Sequence, residues 1–323
     1  GPVVSQTPYN TPSRTKGIAI GTAIGLVLSL GMIVLYALLK RTVFEPSDLE
    51  KHLNMQCFGV VPLLQTRRSL RNNPPTASTT HEQGTFRESI RGIARKMENA
   101  MERRNAKVIL VTSTAAGEGK SVLSQHLAEG FAYWGKKVVL LDGDLRKPTL
   151  YRRFGFKQEK MSLEAVLSGD ASLDTVLCQE QNGKLTLALN STPVKNPTVL
   201  IDSAAMKELI ASFAAQADIV IVDTPPCDQL SDVSLYQQYA DGILYVVQQD
   251  RIPIRQIVEA AESLHNSENK LLGYVLNGAQ QMPQGYGKYG YGIYSYGKYG
   301  GYGKYGYYSS YGESEQPAKI SER

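Results

Sequence analysis

Cysteine is scarce in this chain, with three in 323 residues. Cys57, Cys178 and Cys227 are scattered, so they form neither a disulfide framework nor a metal-ligand spacing, which fits a reducing compartment. A dense basic run interleaved with aromatics is also missing from the part able to fold. The excess of basic over acidic residues is only five, so nucleic acid is not an expected partner. There is no initiator methionine. The chain opens Gly1-Pro2, which reads as a processing scar and makes it a piece of a longer protein. A more local lack lies near the end. Residues 285–312 contain no acid and a single aliphatic residue, Ile293, so this stretch cannot build a core.

What fills that stretch is tyrosine. Eleven of the nineteen tyrosines fall there: Tyr286, Tyr289, Tyr291, Tyr294, Tyr296, Tyr299, Tyr302, Tyr305, Tyr307, Tyr308 and Tyr311. Glycines separate them and make ordering costly. A disordered tail rich in phenols is expected over 284–323. A low-complexity adhesive segment is the plain alternative.

Near the other end, Gly17 to Leu39 is a 23-residue run without a charge. As a helix it reaches about 34 Å, enough to cross the hydrocarbon of a bilayer. It is too long for a signal-peptide core, and no small-residue cleavage site follows it. A buried core helix is the alternative. Gly17, Gly21 and Gly25 have the spacing of a helix-packing face. Arg14 and Lys16 on one side and Lys40 and Arg41 on the other leave orientation unsettled by flank charge.

The remainder divides as follows. Residues 1–16 form a proline-containing stub on the outer side, 17–39 the membrane helix, and 40–83 a juxtamembrane segment and linker. Within that segment Ser47-Asp48-Leu49-Glu50 reads as a capping box, Phe58 to Pro62 as an extended piece, and Gln65 to Gln83 as polar linker. From about Thr85 to Arg104 the pattern is helical and charged. Strands are predicted at 108–112, 137–142, 219–223, 242–248 and 271–277, with helices at 120–134 and 254–265. Apolar strand runs between helices imply a parallel sheet covered on both faces. The fold class is therefore a doubly wound, mostly parallel α/β domain over 84–283.

Three stretches carry chemistry. Ser113-Thr114-Ala115-Ala116-Gly117-Glu118-Gly119-Lys120-Ser121 lies between a strand and a helix. Glycines there let backbone N–H groups reach phosphate oxygens at a helix N-terminus. Gly117, Glu118, Gly119, Lys120, Ser121 and Val122 are the expected nucleotide contacts, with Lys120 on the β- and γ-phosphates and the Ser121 hydroxyl on Mg²⁺. The full G-x-x-x-x-G-K-[ST] pattern fails at its first position, Thr114. Next, Val138 to Leu141 lead into Asp142-Gly143-Asp144-Leu145-Arg146. On an extended chain the two carboxylates point the same way, so one can hold a metal while the other takes a proton. Last, Ile219-Val220-Ile221-Val222 runs into Asp223-Thr224-Pro225-Pro226, where Asp223 is a candidate Mg²⁺ ligand. Tyrosines beside a site for ATP point to phosphoryl transfer onto the tail.

Taken together these motifs resemble the bacterial tyrosine kinases of polysaccharide co-polymerases. That family combines a phosphate loop, an aliphatic strand ending Asp-x-Asp-x-Arg, a strand running into Asp-Thr-Pro-Pro, and a C-terminal tyrosine cluster. The membrane helix followed by PSDLEKHLNMQCFGVVPLL is similar to the second membrane helix and juxtamembrane part of the chain-length-regulator module. The resemblance implies a P-loop NTPase fold shared with ParA/MinD-type ATPases and an enzyme that uses Mg²⁺ and ATP. Lys120, Asp142 and Asp144 become its catalytic residues, with Asp144 as the base, and Ser121, Asp142 and Asp223 its metal ligands. It implies phosphorylation of the eleven tail tyrosines by a neighbouring copy. Asn277 takes the place of a strand-end asparagine on adenine. Glu88, Arg91 and Arg95 stand for the ring-forming E-x-x-R-x-x-R helix, although the second arginine position holds Ala94.

Implied partners are further copies of the chain, the lipid bilayer, polysaccharide polymerase and export machinery, and a tyrosine phosphatase. The implied place is the inner membrane, with the kinase domain in the cytoplasm. Two other readings stay open. One is a membrane-tethered ParA/MinD-like ATPase switch, although those proteins carry a signature lysine where Ala115 stands. The other is a nucleotide-binding pseudokinase scaffold.

Overall fold

The computed structural model describes residues 14–39, 41–53, 55–63, 77–156, 162–264 and 270–280. Among these, helices α1 (Arg14–Leu39), α2 (Pro46–Leu53), α3 (Ala77–Arg104), α4 (Lys120–Tyr133), α5 (Leu150–Arg153), α6 (Leu163–Leu167), α7 (Pro197–Ile201), α8 (Ala204–Gln216), α9 (Leu230–Gln237) and α10 (Ile254–Ser263) accompany eight strands. The strands are β1 (Cys57–Pro62), β2 (Val108–Ser113), β3 (Val138–Asp142), β4 (Leu177–Glu180), β5 (Leu185–Ala188), β6 (Ile219–Asp223), β7 (Gly242–Gln248) and β8 (Leu271–Ala279). They form one sheet in the order β1-β8-β7-β2-β6-β3-β5-β4, in which only the β4–β5 pair is antiparallel. The mostly parallel α/β sheet read from the sequence is the observed fold.

The central strands are apolar up to their carboxyl ends because both of their faces are covered. Along β2, Val108 and Leu110 join one apolar layer, and Ile109 and Val111 the other. Phe213 of α8, Tyr236 of α9 and Ile257 of α10 complete the first layer, while Met97 of α3 and Leu127 and Phe131 of α4 complete the second. Each such side chain withdrawn fully from water contributes about 1.5–3 kcal/mol.

The stretch after α1 is built into this sheet. β1 runs parallel to β8, with Val60 opposite Leu276. Val43 and Leu49 are fully buried in the first layer, and the Tyr274 hydroxyl donates to the Pro46 carbonyl at 2.7 Å. Gly273 is required at the β1–β8 junction, since a Cβ there would overlap the Gln56 carbonyl.

Helix α1 is long and apolar enough to cross a membrane, and none of its apolar window is buried in the protein. Its exposed Ile18, Leu26, Val27 and Met32 rule out the alternative of a core helix.

Several elements differ from expectation. Helix α3 begins at Ala77, inside the stretch read as linker; residues 65–76 of that linker and the whole tyrosine tail lie outside the described residues. The supposed capping box works differently. Helix α2 starts at Pro46, and the Asp48 carboxylate turns back to accept the N–H groups of Phe44 and Glu45 at 3.0 and 2.9 Å. Strands β4 and β5 and helix α8 had no counterpart in the sequence reading.

Candidate active site

The predicted residues converge at the carboxyl ends of β2, β3 and β6, where open α/β sheets bind ligands. The loop between β2 and α4 needs two glycines with positive φ, Gly117 (85°) and Gly119 (94°). Its first position is Thr114 for a visible reason. The Thr114 hydroxyl lies 3.0 Å from the buried Tyr245 hydroxyl of β7, so the side chain fastens the loop to the sheet. Glu118 is fully buried, and its carboxylate accepts the N–H groups of Ala115 (2.7 Å) and Gln248 (3.2 Å). Burial raises the Glu118 carboxyl above the usual range against the pull of those two bonds. Its side chain therefore shapes the loop, leaving the backbone for a phosphate. Ser121 and Val122 sit half-buried in the first turn of α4.

Lys120, the first residue of α4, reaches the Asp144 carboxylate at 3.1 Å, with both side chains nearly buried. Burial pulls the ammonium down, but Asp223, Asp144 and Asp142 around it outweigh that, and its pKa is raised. Asp142 and Asp223 are register partners at the ends of β3 and β6. Both are completely buried. Burial drives the Asp142 carboxyl well above its ordinary range, and repulsion from Asp223 and Asp144 adds to it. Asp223 is raised by burial against the opposing Lys120 ammonium. Asp142 Oδ2 accepts the Leu150 N–H at 3.3 Å, and Asp223 Oδ1 accepts the Ser124 hydroxyl at 3.2 Å. The other oxygen of each, Asp142 Oδ1 and Asp223 Oδ2, has no hydrogen-bond partner among the described residues. Buried carboxylate oxygens without partners are costly, and a hard divalent cation is the group that satisfies them. Two carboxylates and the Ser121 hydroxyl fit Mg²⁺, which keeps waters and phosphate oxygens for its remaining positions.

Gly143, between the two aspartates, is packed from below. A Cβ there would lie 2.9 Å from Val222 Cγ1 and 3.2 Å from Tyr236 Cζ. The Arg146 guanidinium is tied to the buried Asp232 through two bonds of 2.6 and 2.9 Å, which fixes the end of the Asp-x-Asp-x-Arg turn. Asn277 donates its amide to the Glu118 carbonyl at 2.8 Å and lies against Gly119. Glu88, Arg91 and Arg95 are exposed on α3, away from this cluster; Ala94 between them is fully buried, which is why no arginine stands there.

The sequence reading missed four participants. Arg251 lies across the phosphate loop, donating to the carbonyls of Ala116 (2.9 Å) and Gly117 (3.0 Å). Its turn is held by the stretch that follows α1, where the Thr42 hydroxyl donates to Asp250 at 2.6 Å and the Asp250 N–H to the Val43 carbonyl at 2.9 Å. Ser124, Asp232 and Tyr236 were the others. Each lies in a segment without a recognisable motif, and only the spacing Lys120–Ser124, one helical turn, could have signalled one of them.

A family model described as ParA: NUBPL iron-transfer P-loop NTPase matches residues 104–298. The tyrosine-protein kinase YwqD of Bacillus subtilis is 35% identical over 229 residues, which cover 70% of this chain and 96% of YwqD. The chain belongs to the bacterial tyrosine kinase family. EpsB of Ralstonia nicotianae is 31% identical over 296 residues, 87% of this chain. The match takes in only 38% of EpsB, so this bacterial tyrosine kinase chain spans well under half of that longer relative. The solved structure of the chimerical protein CapA2B2 superposes with a TM-score of 0.62 at 25% identity, covering 74% of this chain and 100% of that one.

Proposed function

We propose that this chain is a membrane-anchored protein-tyrosine kinase that uses Mg²⁺ and ATP to phosphorylate the C-terminal tyrosines of a neighbouring copy. The observation that carries the reading is the convergence of Lys120, Asp144, and the partnerless oxygens of Asp142 and Asp223 at one strand-end cluster. When bound, Mg²⁺ held by Ser121, Asp142 and Asp223 supplies charge neutralisation on the phosphates.

The chain's own groups supply the rest. Backbone N–H groups of Gly117–Ser121 bind phosphate, and Lys120 moves from Asp144 to the β- and γ-phosphoryl oxygens. That exchange frees the Asp144 carboxylate. An incoming phenol has a pKa near 10 and needs a base at neutral pH, and Asp144 receives its proton. Asn277 lines the adenine side, and Arg251 fixes the loop. Phosphoacceptors are the tyrosines from Tyr286 to Tyr311. The tail carries Lys288, Lys298 and Lys304 and no acid between 285 and 312. Each phosphate adds about −1.5 to −2 charge, so two or three reverse its sign and drive it from a neighbour's acidic site.

Glu88, Arg91 and Arg95 form the contact between copies in a ring. Helix α1 anchors the domain on the cytoplasmic side of the inner membrane, as the end of a chain-length-regulator module. The cycle of assembly and phosphorylation regulates export and chain length of a capsular or exopolysaccharide through the polymerase machinery, with a phosphatase resetting it.

The test is mass spectrometry of purified protein after incubation with Mg²⁺ and ATP, beside a Lys120→Met control. Phosphates on tyrosines 286–311, absent from the control, are expected. ATP hydrolysis without phosphotyrosine would replace this reading with a ParA/MinD-like switch, and nucleotide binding without turnover would replace it with a scaffold.

A further inference from the structure

The folded domain has tyrosines of its own, and most are sealed. Tyr151, Tyr236, Tyr245 and Tyr274 are buried, and the half-buried Tyr239 donates its hydroxyl to the Ile201 carbonyl at 2.8 Å. Tyr133 differs from all of these. It is the last residue of α4 and is 73% exposed. Its ring carries the Arg91 guanidinium of α3, 5.5 Å from the centroid. Arg91 is one of the three residues on the face assigned above to contact between copies.

We propose that Tyr133 is a phosphoacceptor on the folded domain, modified by a second copy of this chain, and that its phosphate captures Arg91. The inference rests on the kinase reading above. Helix α4 starts at the catalytic Lys120 and ends at Tyr133, so about 20 Å of rigid helix separate the phenol from its own site. Transfer within one molecule is excluded by that distance, and transfer from another is not. The bond between the γ-phosphorus and the β,γ-bridging oxygen breaks as the bond to Tyr133 Oη forms. ADP leaves, and the phenolic proton passes to Asp144 of the copy that holds the nucleotide.

The product changes the local electrostatics. A cation resting on a neutral ring is a weak contact, whereas a guanidinium facing a phosphate forms charge-assisted, bidentate bonds. Arg91 bound in this way is withdrawn from a neighbouring subunit. The folded domain thus carries a release switch separate from the tail, placed where copies meet.

The test mixes the tagged full chain bearing Lys120→Met with untagged wild type in nanodiscs, adds Mg²⁺ and ATP, and maps phosphopeptides on the tagged chain. The Tyr133 phosphopeptide is expected only when wild type is present. Phosphate on the tail of the tagged chain with none on Tyr133 overturns this inference and leaves the kinase reading intact. No phosphotyrosine anywhere overturns both. A second measurement uses the full chain with its eleven tail tyrosines changed to phenylalanine. Its self-association, read by light scattering, should weaken several-fold after ATP and stay constant when Tyr133→Phe is added. Phosphorylated Tyr133 with unchanged association would refute the capture of Arg91.

Discussion

Lys120 and Asp144, one from the phosphate loop after β2 and one from the turn after β3, two strands away in the sheet, meet at 3.1 Å with both side chains nearly buried. In the proposed mechanism this pairing keeps each group from its working position. A carboxylate bonded to an ammonium is a poor acceptor for a phenolic proton, and a lysine bonded to a carboxylate is not yet on a phosphate. On that proposal, nucleotide binding assembles the base by drawing Lys120 away from Asp144. Asp144→Asn should keep ATP binding and lower the rate of tail phosphorylation by about 10²–10⁴-fold, the usual contribution of a positioned base. Single-turnover phosphorylation alongside nucleotide titration checks this, and full activity in the variant would remove Asp144 from the role.

The buried carboxylates set a pH dependence. Folding raises the pKa of Asp142 and of Asp223, through burial first, so the native state holds more protons than the unfolded state above the ordinary carboxylate range. Stability of the metal-free protein must then fall as pH rises from that range toward the folded values. Asp142→Asn removes a buried charge without removing volume. It should raise the metal-free melting temperature at pH 8 by a few degrees, on the order of 1 kcal/mol, and abolish the added stabilisation by Mg²⁺. Differential scanning fluorimetry with and without Mg²⁺ reads both effects.

Gly119 combines φ 94° with contact against the Asn277 amide. Gly119→Ala should lose ATP binding, because the left-handed conformation costs roughly 1–2 kcal/mol for any residue with a Cβ and the new methyl overlaps Asn277. Isothermal titration on folded protein, verified by circular dichroism, separates this from unfolding.

Arg251 fixes two loop carbonyls with one planar fork. Its removal in Arg251→Ala should raise the KM for ATP about 5-fold, in line with about 1 kcal/mol of net hydrogen bonding, with kcat little changed. Arg251→Lys should restore only part of it, since an ammonium cannot bridge both carbonyls in one plane. A fall in kcat at constant KM would contradict a loop-positioning role.

At the β1–β8 junction, Gly273→Ala should cost about 1–3 kcal/mol, as overpacking against backbone does. A lower denaturant midpoint is the expected reading. An unchanged midpoint would mean that β1 does not contribute to the stability of the sheet.

The legible parts of this molecule were those in which one residue run carries its own reason. Ile219–Asp223 and Gly242–Gln248 are apolar up to their final residue, and their bounds match the strands found. Lys120, Asp142, Asp144 and Asp223 stand in motifs whose spacing announces them, and the fold brings all four together. Arg251 and Asp232 have no such local mark, because each meets its partner through a crossover of the sheet. Helix α8 buries Met206, Leu209, Ile210 and Phe213 at helical spacing, a period that is present in the sequence and that the sequence reading passed over. The start of α3 is polar, so its helicity there had no apolar period to reveal it. Ser47 looked like a cap because its sequence neighbours fit, yet Asp48 was better placed to take the free N–H groups.

Among the described residues the edge strand β1 precedes every other strand of the sheet in the chain, and its partner β8 follows all of them. During synthesis, then, β1 emerges long before anything can cover it. Closing so long a loop is slow, and until it closes both β1 and the flank of β7 present bare hydrogen-bonding edges. A nascent chain at that stage has strands ready to pair with the wrong molecule. Completing the sheet with its final strand makes quality control simple: a ribosome product cut short before Leu271 leaves β1 loose, the Pro46–Tyr274 bond unmade, and the turn under Arg251 without the support of Asn277. Such a fragment is open to proteases before it can gain a working nucleotide site.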